Sequence, residues 1–285
     1  MENQRQGENK KIKIILIVVV ACIVLIGAGV GAWMYLGGTK EEEPQQADPI
    51  EAQAAYETMQ EEVVTDNDDP MYREIDFDAL KERNPDVYAW IWIPGTNIDY
   101  PILQSTVEAD DYYLNTTIDG QYGLPGSIYT EKYNSQYFTD PVTVVYGHEL
   151  KDGTMFSELH KYEDKAFFDQ YPYIYIYQPG LALKYQIFAA VSFDDRYILG
   201  SYNFMDTNDF QKYLDELLNS INGNVNRDVY VAQETTILTL STCISAYPDQ
   251  RWLVNGAVVD FYQPEAAQAE GTQADDAQTE ETQGE

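Results

Sequence analysis

Cys243 ends the apolar run Thr239-Leu240-Ser241-Thr242-Cys243, just before a polar, proline-containing turn from Ser245 to Gln250. The other cysteine, Cys22, lies in the most apolar stretch of the chain, so Cys243 has no partner for an intramolecular disulfide outside it. A lone thiol in an oxidising compartment is a liability unless it is buried or used. Its number alone favours a core cysteine, whereas its place at the end of a strand-like run puts it where a substrate can reach. A thiol of ordinary pKa, about 8.5, is only slightly ionised near neutrality, so a cysteine nucleophile needs an imidazole or another cation beside it. His148 is the leading partner, because it follows the strand-like Val142 to Tyr146 through Gly147, a residue that lets the chain turn sharply. His160, in Phe156-Ser157-Glu158-Leu159-His160-Lys161, reads as an exposed helix or turn position. Acyl transfer also needs a donor for the developing oxyanion. Arg251 opens the strand after Cys243, so a hairpin would return its guanidinium beside the thiol. Spacing alone favours a strand-end arginine paired with one of the many acids.

Other chemistries find little support. There is no HExxH, P-loop or GxSxG pattern, and two histidines with two cysteines leave few soft metal ligands. The acid run Glu108 to Asp111 is the sole calcium-like feature, so neither a metal nor a cofactor is expected. The chain carries 17 Lys and Arg against 48 Asp and Glu, a net charge of −31. A field of that sign repels phosphate backbones and excludes nucleic-acid binding as a primary function.

The elements that must position these residues are mainly β. Tyr88 to Ile93, Asp99 to Leu103, Gly126 to Thr130, Val142 to Tyr146, Tyr173 to Gln178, Leu181 to Ser192, Thr235 to Ser241 and Trp252 to Phe261 are rich in Ile, Val, Tyr, Trp and Thr. Eight short strands predict a closed or nearly closed barrel. Asp76 caps a helix running to about Arg83, which Asn84-Pro85 ends. A short helix is expected over Ala166 to Gln170. Phe210, Tyr213, Leu214, Leu217, Leu218 and Ile221 share one face of a late helix, with Thr207 or Asn208 as its cap and Gly223 as its close.

Residues 1–13 read as a basic cytoplasmic N-terminus and 14–36 as a transmembrane helix. The 23 uncharged residues from Ile14 to Leu36 can cross a hydrocarbon core of about 30 Å. Arg5, Lys10, Lys11 and Lys13 precede the run and Glu41 to Glu43 follow it, so the bulk of the chain is expected outside the cell membrane. Its length disfavours a cleaved signal peptide, and the apolar residues after Cys22 disfavour a lipoprotein box. Residues 37–70 read as an acidic linker with a helical stretch around Pro49 to Glu62. Residues 71–262 form the expected catalytic domain, and 263–285 a disordered acidic tail.

Trp90-Ile91-Trp92-Ile93-Pro94-Gly95-Thr96, Ile98-Asp99-Tyr100-Pro101, Tyr113-Leu114, Gly126-Ser127-Ile128-Tyr129, Tyr146-Gly147-His148, Gly153-Thr154-Met155-Phe156 and Thr239 to Cys243 together resemble the sortases. The likeness runs over nearly all of Phe77 to Phe261, and the late helix between two barrel strands is similar to the extra helix of class B. The resemblance implies an eight-stranded sortase-like barrel with an N-terminal helix, preceded by the membrane helix. It implies a cysteine transpeptidase with Cys243 as nucleophile, His148 as proton shuttle, Arg251 as oxyanion or backbone donor, and Ser241, Thr242 and Leu114 lining the substrate groove. The substrates implied are secreted proteins carrying a C-terminal sorting signal, and the acceptor an amine of peptidoglycan or its lipid-linked precursor, on a Gram-positive surface. A membrane-tethered cysteine peptidase and a non-catalytic wall-binding module are the alternative readings. The acidic linker and tail are not part of the resemblance.

Overall fold

β-branched and aromatic residues dominate from Val87 onward, and the computed structural model, which describes residues 46–264, closes them into a barrel. Its eight strands are β3 (Val87–Trp92), β4 (Asp99–Leu103), β5 (Ile128–Thr130), β6 (Val142–Tyr146), β7 (Tyr173–Gln178), β8 (Leu181–Asp194), β10 (Ile237–Cys243) and β11 (Gln250–Tyr262). They follow the order β11-β10-β6-β5-β4-β3-β7-β8, and antiparallel pairing of β8 with β11 closes the ring. Register shifts at Asn255/Gly256 and Val258/Asp260 let the long β11 bend around the barrel. A three-residue strand missed by sequence reading, β9 (Gly223–Val225), adds to β8. The remaining two strands, β1 (Val64–Thr65) and β2 (Glu74–Ile75), form a separate ribbon.

The alternation of the strands sorts their side chains into two layers. Trp90, Ile102, Ile176, Leu238, Leu240 and Val254 lie in the cluster that fills the barrel. The outward residues Val142, Val144, Ile237 and Leu253 pack with Phe210, Tyr213, Leu214 and Leu217 of the late helix, Thr207–Leu218. That helix departs from expectation at both ends. Asp206 caps it, accepting from the amides of Asn208 and Asp209, because its carboxylate reaches both unpaired amides. It stops at Asn219, so Ile221 is 93% exposed. Gly223 does not close the helix but opens β9 at φ +141°, where an added Cβ would sit 2.1 Å from the Ala190 carbonyl oxygen.

The expected linker is folded over much of its length. Helix Pro49–Val63, capped by Asp48, buries Ala52, Tyr56, Met59 and Val63, a face its low mean apolarity conceals. The segment is also anchored through polar groups. The Asp99 carboxylate is 8% exposed and takes both Nη atoms of Arg73, Nε1 of Trp90 and Nε2 of Gln60. A buried carboxylate is tolerable only when it is satisfied in this way. The folded unit therefore begins before Pro49 and not at Met71. The helix expected from Asp76 to about Arg83 forms over Phe77–Arg83, with Asp76 as its cap, and the short helix over Lys165–Gln170. The run Ile14 to Leu36 and the tail beyond Pro264 lie outside the described residues. Among the described residues no helix is long and apolar enough to cross a membrane.

Candidate active site

β10 runs parallel to β6, with Ser241 opposite Tyr146. The next residues of each strand carry Cys243 and His148 off the same end of the sheet as neighbours. Two bonds hold the strand ends together: the Gly147 amide donates to the Ser241 carbonyl (3.2 Å), and the Thr242 hydroxyl to the Gly147 carbonyl (2.9 Å). Gly147 is needed for space more than for a sharp turn, since an added Cβ would meet Ile128 at 2.5 Å and Phe156 at 2.7 Å. On the other side of β10, Arg251 of β11 is the register partner of Cys243. The parallel and antiparallel pairings thus flank one exposed thiol with an imidazole and a guanidinium.

The imidazole has a defined tautomer. His148 Nε2 lies 2.7 Å from the carbonyl oxygen of Leu114, which only accepts, so Nε2 carries the proton and the neutral ring offers Nδ1 as its base. Burial lowers the His148 pKa below the ordinary histidine range, and the Leu114 carbonyl opposes that shift. The carbonyl is placed by Gly126, which sits at φ +67°, where a Cβ would come within 2.3 Å of the Leu114 oxygen. Gly126 is held in turn by Tyr56, whose buried hydroxyl donates to its carbonyl at 2.9 Å.

Arg251 donates through Nη1 to the carbonyls of Pro248 (3.0 Å) and Gln250 (2.8 Å), which leaves Nε and Nη2 available to a ligand in the cavity that Arg251 lines with Cys243. The other cation at the rim, Arg196, is engaged by Asp194 and Glu216. A cavity of about 310 Å³ opens onto Cys243. Leu114, Ser241 and Thr242 line it, although the Thr242 hydroxyl is buried and already bonded. Sequence reading missed Tyr129, Tyr146, Glu131, Tyr197 and Ile198 in its wall. Tyr129 and Tyr146 stack at 5.4 Å, and the Tyr197 hydroxyl donates to Glu131 at 2.6 Å. Burial raises the Glu131 carboxyl above the usual range, against the pull of that hydrogen bond. Alternation could have found Tyr146, two residues before His148 on the same strand end, whereas Tyr197 and Ile198 arrive by a loop that no local pattern announces.

His160 is not the surface histidine its sequence suggests. Its side chain is 21% exposed, and Nε2 meets the Cys243 carbonyl oxygen at 3.0 Å.

A sortase domain family model matches residues 91–259. Sortase B of Listeria monocytogenes serovar 1/2a is 35% identical over 183 residues, which cover 63% of this chain and 72% of that protein. Sortase B of Staphylococcus aureus is 32% identical over 175 residues, 61% of this chain and 69% of that one. Among solved structures, a Staphylococcus aureus sortase B-substrate complex superposes with a TM-score of 0.59 at 27% identity, covering 74% of this chain and 97% of its own. Sortase B from B. anthracis in complex with AAEK1 gives 0.61 at 26% identity, over 74% and 97%. The chain belongs to the sortase family of cysteine transpeptidases. Its relatives and structural neighbours place it in class B.

Proposed function

We propose that this transpeptidase cuts a sorting motif of the form (N/S/P)-P-x-T-(N/G) after the threonine and joins the new carboxyl end to a cell-wall amine. The observation that carries the reading is the pairing of β10 with β6 on one side and β11 on the other, which flanks Cys243 with His148 and Arg251. Neutral His148 takes the thiol proton, and the thiolate attacks the threonine carbonyl to form a tetrahedral oxyanion. Nε or Nη2 of Arg251 donates to that oxygen or to the neighbouring substrate backbone. The His148 imidazolium then returns the proton to the leaving amine, and a thioester remains on Cys243. The incoming amine of peptidoglycan or its lipid-linked precursor attacks the thioester, gives its proton to His148, and releases the thiol. Leu114 and Ser241 contact the motif, while Thr242 holds the strand ends that frame it. Residues 14–36 would anchor the enzyme in the cell membrane, with the catalytic domain outside, where secreted substrates emerge.

The test is incubation of the protein with fluorogenic sorting peptides, with and without added amines, beside the Cys243→Ala variant. Cleavage that is accelerated by amine and yields the amide product is expected. The variant should lose both reactions, and more than about a tenth of wild-type turnover in it would remove Cys243 as nucleophile, because the covalent route has no substitute atom.

A further inference from the structure

The Cys243 carbonyl lies where β10 gives way to the turn before β11, and its partner there is a side chain. His160 Nε2 meets it at 3.0 Å, and Nδ1 of the same ring meets Glu163 at 2.6 Å. A backbone carbonyl oxygen only accepts, so the bond to Cys243 requires N–H at Nε2. Acidic and aromatic groups surround the ring. Glu163 comes from its own helical segment, Glu149 from the loop after β6 lies 3.9 Å from Nε2, and the Trp252 ring of β11 stacks at 5.9 Å. Glu149 Oε2 also accepts from the Ser245 amide at 2.7 Å. The turn that follows Cys243 is thereby held at residues 243 and 245 by the ring and by the residue next to His148.

The platform under the ring is fixed without it. The 3-10 helix Ser157–Glu163 is pinned by Trp252 Nε1 on the Leu159 carbonyl at 2.9 Å, and by Asn224 Nδ2 on the carbonyls of Tyr162 (2.8 Å) and Glu163 (2.9 Å). We propose that His160 is a positioning residue for Cys243: by donating to the Cys243 carbonyl it fixes the plane of the 243–244 peptide, and with it the direction of the Cys243 side chain. The two imidazoles that serve Cys243 then divide the work. His148 acts on the sulfur, and His160 acts through the backbone.

The inference rests on Cys243 as nucleophile, and the test keeps the two apart. The amide of glutamine falls near the place of imidazole Nε2 and that of asparagine near Nδ1, so His160→Gln can keep the bond to the carbonyl while His160→Asn and His160→Ala cannot. Turnover of a sorting peptide, the rate of iodoacetamide alkylation of Cys243 and the thermal melt are measured for all three. A displaced nucleophile typically costs about ten- to a hundredfold, so kcat should fall by that much in His160→Asn and His160→Ala with KM within about twofold. His160→Gln should recover most of the loss, and alkylation should follow the same order. Asparagine stands in should alanine fail to fold. Wild-type kcat in the asparagine or alanine variant overturns the proposal. An equal loss in asparagine and glutamine does so too, since the bond to the carbonyl would then not be what the ring supplies. A wild-type protein that cleaves no sorting peptide would instead sink the nucleophile reading, and the alkylation rates would still decide whether His160 governs the thiol.

Discussion

Two residues beside Cys243 make separable forecasts. Burial holds the His148 pKa below the ordinary value of about 6.5, so between the lowered value and that one the unfolded chain binds more protons than the folded chain. The stability tied to the neutral ring is therefore fully present above the ordinary value and declines as pH falls through this window. His148→Gln, which cannot titrate, should lose this share of the acid sensitivity: its melting temperature should drop less than that of wild type from about pH 7 to about pH 5. Equal drops would mean that the ring is as readily protonated in the fold as outside it. Arg251 tests charge against geometry. Lysine keeps the charge but cannot hold the two turn carbonyls with one nitrogen and present further donors from a planar fork. Arg251→Ala should lose about 10²–10³ in turnover and Arg251→Lys should stay well below wild type, both with near-normal circular-dichroism melts. Unchanged kinetics with a lowered melt would reduce Arg251 to a strand-end contact.

At the scale of elements, the site depends on a loop before β5 as much as on the strands that bear the reacting groups. Gly126 has no room for a Cβ, because the Leu114 carbonyl that orients His148 stands 2.3 Å from where it would be. Gly126→Ala should displace that acceptor and lower kcat by about ten- to a hundredfold. Gly120 is the matched control: its φ of +74° imposes similar backbone strain, but nothing lies within 4 Å of an added Cβ. Gly120→Ala should therefore cost stability and leave kcat alone; equal kcat losses in the two variants would break the link between Leu114 and His148. Such contacts explain what was legible in the sequence. The strands announced themselves because alternation writes burial directly into residue type, and the parallel pairing of Val142–Tyr146 with Ile237–Cys243 follows once the barrel is recognised. His160 was misjudged because the segment around it is polar and its partner is a backbone oxygen, which leaves no mark on composition. The helix Pro49–Val63 was assigned to a spacer because acids on its outer face dilute the four residues it buries.

For the molecule as a whole, that helix joins the barrel to the site. Tyr56 donates to the Gly126 carbonyl and accepts from the Ile118 amide, and burial pushes its hydroxyl pKa up to about 12. A protein beginning at Met71 would lose Tyr56, Met59 and the Gln60 bond to Asp99, so it should melt well below one beginning at Gln46 and turn over more slowly. Tyr56→Phe should lie between them, at a cost of about 1–2 kcal/mol for the hydrogen bonds alone. Equal melts for the two lengths would return residues 46–70 to the role of a spacer. The parallel seam of β6 and β10 also has a temporal consequence. The residues it joins, Gly147 and Thr242, are 95 apart in sequence, so the seam must close a long loop before it gains any contact. Its imidazole is synthesised well before its thiol, and the two become neighbours only when the last strands have docked. A partly folded chain therefore carries an imidazole and a thiol that are not yet paired, and the site exists only once that seam has closed.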